Sequence, residues 1–476
     1  HCNRDEKDGS VQINSVERFI GDWGVERKLG LPKIDDGGPY DEKIAIVGSG
    51  PSGLSCAYQL ARRGYKVTVY ESFDQPGGML RYGIPAYRMP RDILDAEIQR
   101  IIDLGVEIKT NTTIGEGTTL DDLKRDYDAV FVGIGAHKGW TMGIPGEEGP
   151  GVFTGTDFLN KANSGQKVDL GENVVVVGGG DTAIDAARVS LRLATDAAQV
   201  SRRKGAKVSI LYRRTRNEMP AISKEIEEAL EEGIDIEFLA APAEIKRDGE
   251  KIDKLVVQRM ELGEPDDSGR RRPKPIEGDT YELEADTVIM AVSQAPDWST
   301  LGTFEGKGSW LDVDEWGHTE IDKVWSGGDT LELGLATISI GQGRKAAQSI
   351  HAELRGEEPP VPSKQPKIDI SRIKMDHYEP AQPAEREVLS VEERLARPME
   401  ENDKGITQDD ALGEVMRCFS CGLCMGCEKC WMYCQVNCFT KTKNPEPGHY
   451  FDMDLKKCDG CKKCWEECPC GFIDPQ

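Results

Sequence analysis

Lys43-Ile-Ala-Ile-Val-Gly-Ser-Gly-Pro-Ser-Gly53 decides how the rest of the chain is read. A short apolar run ends in a glycine-rich turn, an Ala-rich helical pattern follows, and a second apolar run, Lys66 to Tyr70, completes a βαβ unit. Within the turn, Gly48 lets the chain reverse tightly, Gly50 lets backbone approach a pyrophosphate, and Gly53 lets helix and strand pack closely. The helix start then meets the phosphate charge. Glu71 closes the second strand at the spacing expected of an acid that binds a ribose.

The pattern recurs once. Asn173-Val-Val-Val-Val177 runs into Gly178-Gly-Gly-Asp-Thr-Ala183, an Ala-rich helix, and the strand Lys207 to Tyr212. Gly178, Gly179, Gly180, Asp181, Thr182 and Ala183 are therefore candidates for a second nucleotide. No acid ends this second unit. Tyr212-Arg-Arg-Thr-Arg-Asn-Glu-Met-Pro-Ala221 puts Arg213 and Arg214 there instead, suited to a 2'-phosphate through charge-assisted bonds. That favours NADP over NAD, and a solvated basic loop is the alternative.

All of the 14 cysteines except Cys2 and Cys56 lie between Cys418 and Cys470. Such clustering at the end of a long chain suits reduced, metal-binding thiols better than a disulfide framework. Cys458-x2-Cys461-x2-Cys464-x3-Cys468-Pro has the bacterial ferredoxin spacing, and Cys424-x2-Cys427-x2-Cys430-x3-Cys434 repeats it with Gln435 in place of proline. Because the fourth cysteine of each run ligates the other cluster, one 4Fe-4S cubane is expected on Cys424, Cys427, Cys430 and Cys468. The other is expected on Cys458, Cys461, Cys464 and Cys434. Starting the register at Cys418 or Cys421 would place the fourth ligand at Glu428 or Trp431, so only Cys424 completes a set. A pair of zinc sites fits the x3 spacing poorly. Cys418, Cys421, Cys438 and Cys470 are left over, as ligands of another cluster or as buried thiols.

At 476 residues the length prior is about three domains. Lys and Arg total 60 against 84 Asp and Glu, a formal charge of -24, which excludes nucleic acid or an anionic membrane as the main partner. There is no run of about 18 apolar residues and no secretion signal, so no membrane span is expected and a cytoplasmic location is. The expected boundaries are residues 1–40 as the remnant of an N-terminal helical or iron-sulfur domain, 41–145 with 297–356 as the first dinucleotide-binding domain, and 146–296 as an inserted NAD(P) domain. Residues 357–410 form a Pro- and Glu-rich linker, and 411–476 a small α+β ferredoxin domain. Ser390 to Met416 reads as helical. The fold class is α/β, with two Rossmann-like dinucleotide-binding domains.

Three further segments sharpen the first site: Pro76-Gly-Gly-Met-Leu-Arg-Tyr-Gly-Ile-Pro85, Trp325-Ser-Gly-Gly-Asp329 and Leu335-Ala-Thr-Ile-Ser-Ile-Gly-Gln-Gly343. They resemble the flavin-contacting segments of flavoproteins with two dinucleotide-binding domains. The resemblance implies FAD on Gly48, Gly50, Pro51, Ser52, Gly53, Glu71, Gly78, Met79, Leu80, Gly83, Gly135, Gly328, Asp329, Ala336 and Thr337. Asp329 would bond the ribityl chain, Gly328 would meet the pyrophosphate, and Ala336 and Thr337 would open the helix facing the ring.

Joined to Gly178–Ala183 and Tyr212–Ala221, these segments resemble the small subunit of glutamate synthase and its relatives, from about Val11 to Leu354 and again at Arg417-Cys-x-x-Cys-Gly422. Two departures stand out: Ser293 replaces a usual Gly, and Ala194 to Lys204 is an extra stretch. His1-Cys-Asn-Arg4 resembles the tail of the family's N-terminal cysteine-rich segment, which implies a further cluster mostly outside this chain. Fusion to a two-cluster ferredoxin resembles a narrower group, the Dsr-system iron-sulfur flavoproteins, which implies a redox protein partner, dissimilatory sulfite reductase, and NAD despite the arginines. Glutamate-synthase-like subunits, ferredoxin:NADP oxidoreductases and an electron-relay subunit with a silent nucleotide site are the competing readings. A homodimer stays open. No catalytic side chain is assigned, since a nicotinamide gives two electrons as hydride and a cubane takes one at a time, with the flavin between them. Cys56 lacks a C-x-x-C partner, against a disulfide mechanism.

Overall fold

The computed structural model describes residues 2–35, 37–201, 207–266, 269–304, 310–361 and 367–474. They form two compact units, one of His1–Lys28, Val361–Val388 and Asp403–Gln476, the other of Leu29–Pro360 and Leu389–Asn402.

The larger unit carries two parallel five-stranded sheets. In the first, the strand order is Val324–Ser326, Ala129–Val132, Lys43–Val47, Lys66–Tyr70, Glu107–Lys109, and every neighbouring pair is parallel. Its central strands are apolar on both faces because helices cover both. Ile44, Ile46 and Phe131 pack under the helices Pro51–Ala61 and Ala336–Arg355. Ala45, Val130 and Val132 face Leu120, Leu123 and Leu301. Each fully buried Ile or Val contributes about 1.5–3 kcal/mol.

The second sheet repeats the architecture in the order Val152–Thr154, Thr287–Met290, Asn173–Val177, Lys207–Tyr212, Asp235–Phe238, again all parallel. An antiparallel sheet of Ala240–Asp248, Lys251–Pro265 and Arg271–Glu284 follows. The strands Lys138–Gly139 and Gln294–Ala295 pair antiparallel where the chain passes between the sheets. The α/β class with two Rossmann-like halves is thus what the glycine-ended strands indicated. The extra stretch Ala194 to Lys204 continues the helix Asp181–Ser201, and its remainder lies outside the described residues. Ser293 does not take a positive φ, and its carbonyl accepts the Trp140 amide at 3.0 Å.

Ser390 to Met416 corrects the helical reading, since that stretch belongs to no single helix and is divided between the two units. A turn of helix, Val391–Ala396, ends before Pro398, a short strand Asp403–Gly405 follows, and a second helix, Gln408–Arg417, starts on a Thr407–Asp410 capping box. The strand and second helix belong to the smaller unit; Leu389–Asn402 belongs to the larger one. The cysteine-rich region folds as two short helices, Lys429–Met432 and Lys463–Glu467, and a hairpin of Phe439–Glu446 with His449–Met453.

The helix Ala336–Arg355 reaches the first glycine loop only because Gly343 has no side chain: a Cβ there would lie 2.1 Å from the Ser52 carbonyl oxygen. Gly343→Ala is expected to cost about 1–3 kcal/mol, read as a lowered denaturation midpoint, and to reduce the FAD retained on purification.

Candidate functional site: two nucleotide loops and a cysteine cluster

A cavity of about 1410 Å³ opens between the two glycine loops of the larger unit. From the first half it is lined by Gly48, Gly50, Pro51, Ser52, Glu71, Gly78, Met79, Leu80, Gly83, Gly135, Asp329 and Ala336. Gly178, Gly179, Gly180, Asp181, Thr182, Arg213 and Arg214 line it from the second. Of the residues read from sequence, Gly53, Gly328, Thr337 and Ala183 lie off its wall.

The glycines divide by what surrounds them. A Cβ on Gly53 would sit 2.0 Å from the Gly48 carbonyl oxygen, so Gly53 serves packing. A Cβ on Gly50 or Gly180 would meet nothing within 4 Å. Those two positions leave backbone open to the cavity, one in each loop, which is what close approach of a phosphate requires. Glu71, 4% exposed, accepts from the Ser49 amide (2.9 Å) and, through its other oxygen, from the Phe73 amide (2.9 Å). Its carboxylate is therefore fixed beside the first loop. Burial raises the Asp329 carboxyl above the usual range, opposed only by the Gly334 amide at 3.4 Å. A carboxylate so poorly served by protein donors at a cavity wall has capacity for ligand hydroxyls.

Arg213 and Arg214 part company. Arg214 is buried and engaged: Nε donates to the Arg271 carbonyl at 2.7 Å and Nη2 pairs with Asp266 at 2.9 Å. It ties the strand end to the antiparallel sheet. Arg213 is exposed and lines the cavity, with its pKa lowered by desolvation and by Arg214.

Three cavity residues escaped the sequence reading. Burial lowers the His137 pKa, the Glu71 charge opposing it, and the ring lies 5.5 Å from that of Phe73. Arg88 makes a two-bond ion pair with Asp185, 2.7 Å to each oxygen. Asp185 follows Asp181 by one helical turn in the second loop's own helix, a spacing that could have flagged it.

In the cysteine-rich region, the two repeats share a backbone as well as a spacing. Gly426 and Gly460 have φ of 72° and 75°, and Glu428 and Lys462, one past the second cysteine of each run, have 65° and 60°. The Cys430 thiol is pushed up to about 12 by burial, then by the charges of Cys424, Cys427 and Cys468. Burial also raises Cys464, with Cys461 and Cys458 adding to it. Buried Cys438 donates its amide to Cys434 Sγ at 3.2 Å and faces Cys458. The sulfurs of Cys468 and Cys470 are 3.8 Å apart. Cys468 thus lies with the first run, and Cys434 with the second. Among the described residues no three His, Cys, Asp or Glu side chains form a site for a metal ion; a cubane, whose four ligand sulfurs each bind a different iron, does not need them to meet at one point.

Residues 42–343 match the pyridine nucleotide-disulphide oxidoreductase family. The chain belongs to that family. It falls among NAD(P)H-dependent flavin oxidoreductases, with FAD and a nicotinamide nucleotide as cofactors and a cysteine-rich C-terminal region that fits 4Fe-4S clusters. Family members similar to it include the NADP(+)-dependent formate dehydrogenase subunit beta of Moorella thermoacetica, 38% identical over 88% of this chain and 63% of that one. The NADPH-Fe(3+) oxidoreductase subunit beta of Geobacter sulfurreducens is 36% identical over 88% and 67%. The glutamate synthase [NADPH] small chain of Escherichia coli is 34% identical over 73% and 76%. The chain thus spans about two thirds of the length of the first two. Among solved structures, Mycobacterium tuberculosis FprA in complex with NADPH shares the fold, with a TM-score of 0.58 and 22% identity over 68% of this chain and 88% of that one. No helix among the described residues is long and apolar enough to cross a membrane.

The two arginines give a split prediction. Arg213→Ala should raise KM for NADPH at least tenfold and leave KM for NADH within about twofold, because one charge-assisted phosphate contact contributes about 1.5–3 kcal/mol. Arg214→Ala should instead lower the thermal midpoint, with its effect shared between the two nucleotides.

Proposed function

We propose that this chain is an FAD-dependent NAD(P)H:acceptor oxidoreductase that exchanges electrons, through two 4Fe-4S clusters of its own, with a protein partner in a larger redox complex. The observation that carries this reading is the single cavity onto which both nucleotide loops open, in a chain that also holds two cubane-type cysteine runs. When bound, FAD supplies the conversion between a two-electron hydride transfer and one-electron chemistry. The residues supply binding and orientation. Gly50 and the helix Pro51–Ala61 receive the FAD pyrophosphate, Glu71 the ribose, and Asp329 the ribityl hydroxyls. The helix starting at Ala336 would face the ring; Gly78 packs on Gly50 at the first loop, and Met79, Leu80, Gly83 and Gly135 line the same cavity. Gly180, Asp181 and Thr182 receive the second nucleotide's phosphates and Arg213 its 2'-phosphate, so NADP(H) is the favoured nucleotide. Leu333, Leu335 and Ile338, exposed at the same wall, would cover a bound ring. Cys424, Cys427, Cys430 and Cys468 hold one cluster; Cys458, Cys461, Cys464 and Cys434 hold the other.

The three relatives above are named as beta subunits or a small chain, which supports a subunit role here. The finer reading, a Dsr-type flavoprotein serving dissimilatory sulfite reductase in the cytoplasm, is supported by the ferredoxin module fused behind the flavoprotein core. A glutamate-synthase-like or ferredoxin:NADP role is the alternative, and the partner decides between them.

Anaerobic titration with NADH and with NADPH, followed by addition of dissimilatory sulfite reductase, tests this. Bleaching of the flavin by NADPH and then reduction of the added enzyme is expected. A Cys458→Ser/Cys461→Ser variant should keep flavin bleaching and ferricyanide reduction yet lose transfer to the protein acceptor. A flavin that neither nucleotide bleaches would refute the oxidoreductase reading, and transfer that survives the double substitution would refute the role of the clusters.

A further inference from the structure

A phosphate monoester carries a charge of about −1.5 to −2 near neutral pH, so a single arginine leaves part of it uncompensated. The strand ending at Tyr212 is followed by two arginines, but Arg214 is already bound to Asp266 and the Arg271 carbonyl. A second guanidinium reaches the cavity from another part of the chain. Arg270 directly precedes the strand Arg271–Glu284, is exposed, and lines the same cavity as Arg213. Desolvation first, then the charges of Arg214 and Arg270, lower the Arg213 pKa, with Tyr212 and Asp266 opposing. Two like charges this near each other on one cavity wall repel, and an anion between them relieves the repulsion.

Asp266 sets where Arg270 stands. Its Oδ1 accepts the Arg270 amide at 3.2 Å, its own amide donates to the Arg270 carbonyl at 2.7 Å, and its carbonyl accepts the Gly269 amide at 2.8 Å. Through Oδ2 the same side chain pairs with Arg214 at 2.9 Å. Arg271 then ties the turn to the neighbouring strand, Nε donating to the Gly263 carbonyl at 3.0 Å and Nη2 to the Leu262 carbonyl at 2.9 Å. One buried arginine and one carboxylate thus join the strand end that carries Arg213 to the turn that carries Arg270. The strand end is itself fixed against the second glycine loop, since a Cβ on Gly179 would lie 2.4 Å from the Tyr212 ring. In a doubly wound fold, the end of this strand is where the 2' position of the adenosine ribose is read.

We propose that Arg270 is a specificity-determining residue for NADP(H), closing on the adenosine 2'-phosphate opposite Arg213, with the Arg214–Asp266 pair positioning it. This rests on the oxidoreductase function proposed for the chain and adds to it a residue outside the Tyr-Arg-Arg motif. NAD(H), with a free 2'-hydroxyl, offers the two guanidiniums no charge at that point, so the clamp discriminates between the nucleotides.

The test uses the anaerobic full chain with FAD bound. Ferricyanide reduction gives kcat and KM for NADPH and for NADH, with adenosine 2',5'-bisphosphate and 5'-AMP as competing probes. Arg270→Ala should raise KM for NADPH and the inhibition constant of the bisphosphate at least about tenfold, with kcat, KM for NADH and the inhibition constant of 5'-AMP within about twofold, as loss of one charge-assisted phosphate contact predicts. Arg270→Lys should recover part of the loss, because it keeps the charge and gives up the planar fork. NADPH and bisphosphate constants that stay at the parent values in Arg270→Ala, or that change together with those of NADH and 5'-AMP, would overturn the role of Arg270 and leave the oxidoreductase function standing. A parent chain whose flavin neither nucleotide reduces would overturn both.

Discussion

Everything at the nucleotide site depends on how closely three segments crowd Ser52, in the first turn of the helix Pro51–Ala61. Cβ atoms built on Gly133, Gly328 and Gly343 would lie 2.9, 2.7 and 2.1 Å from atoms of Ser52. These glycines come from the loop after the strand Ala129–Val132, from the turn preceding Asp329, and from the helix Ala336–Arg355. Their convergence closes the first sheet around the helix N-terminus and puts Asp329 at the wall of the same cavity as Gly50. Interiors are packed to crystal density and yield little to an added methyl group. The late segment Trp325–Gly343 is therefore part of the flavin half although almost 200 residues separate it from the strand beside it.

The second half solves the corresponding problem with charge. Its helix Asp181–Ser201 is fastened by Arg188 and Arg192, both essentially inaccessible, to Glu225, Glu228 and Glu232. Arg394, at 3.8 Å from Glu232, adds a third guanidinium from the returning segment Leu389–Asn402. Such a network is costly to break at one member, and it fixes the helix whose first turn carries Asp181 and Thr182. Arg88 and Asp185 extend it to the cavity. Rigid glycine contacts on one side and a buried ion network on the other thus hold two loops facing one space.

Much of this was legible in the residues themselves. Strand, glycine turn, helix and acid are local features, and so is the ferredoxin spacing; period and spacing reveal both. What stayed hidden is non-local. Arg213 and Arg214 are indistinguishable in sequence, and only the strand Arg271–Glu284, folded back more than 50 residues later, shows that Arg214 is occupied by Asp266 and the Arg271 carbonyl. The apparent helix from Ser390 failed at Pro398 because its apolar positions serve two elements in different units. His1-Cys-Asn-Arg4 was legible only as the tail of a cysteine-rich segment; that Asn3 bonds Cys421 Sγ and Arg4 the Arg417 carbonyl, across more than 400 residues, shows only in the fold.

In the proposed reaction, nicotinamide and iron-sulfur groups exchange electrons only by way of the flavin held between the two loops. Rapid mixing of NADPH with the anaerobic full chain, with FAD present and after FAD has been stripped, measures this directly through the iron-sulfur absorption. Cluster reduction in the FAD-loaded chain, and none on the same timescale in the stripped chain, is the result this structure predicts. Equal rates of cluster reduction in both would contradict it.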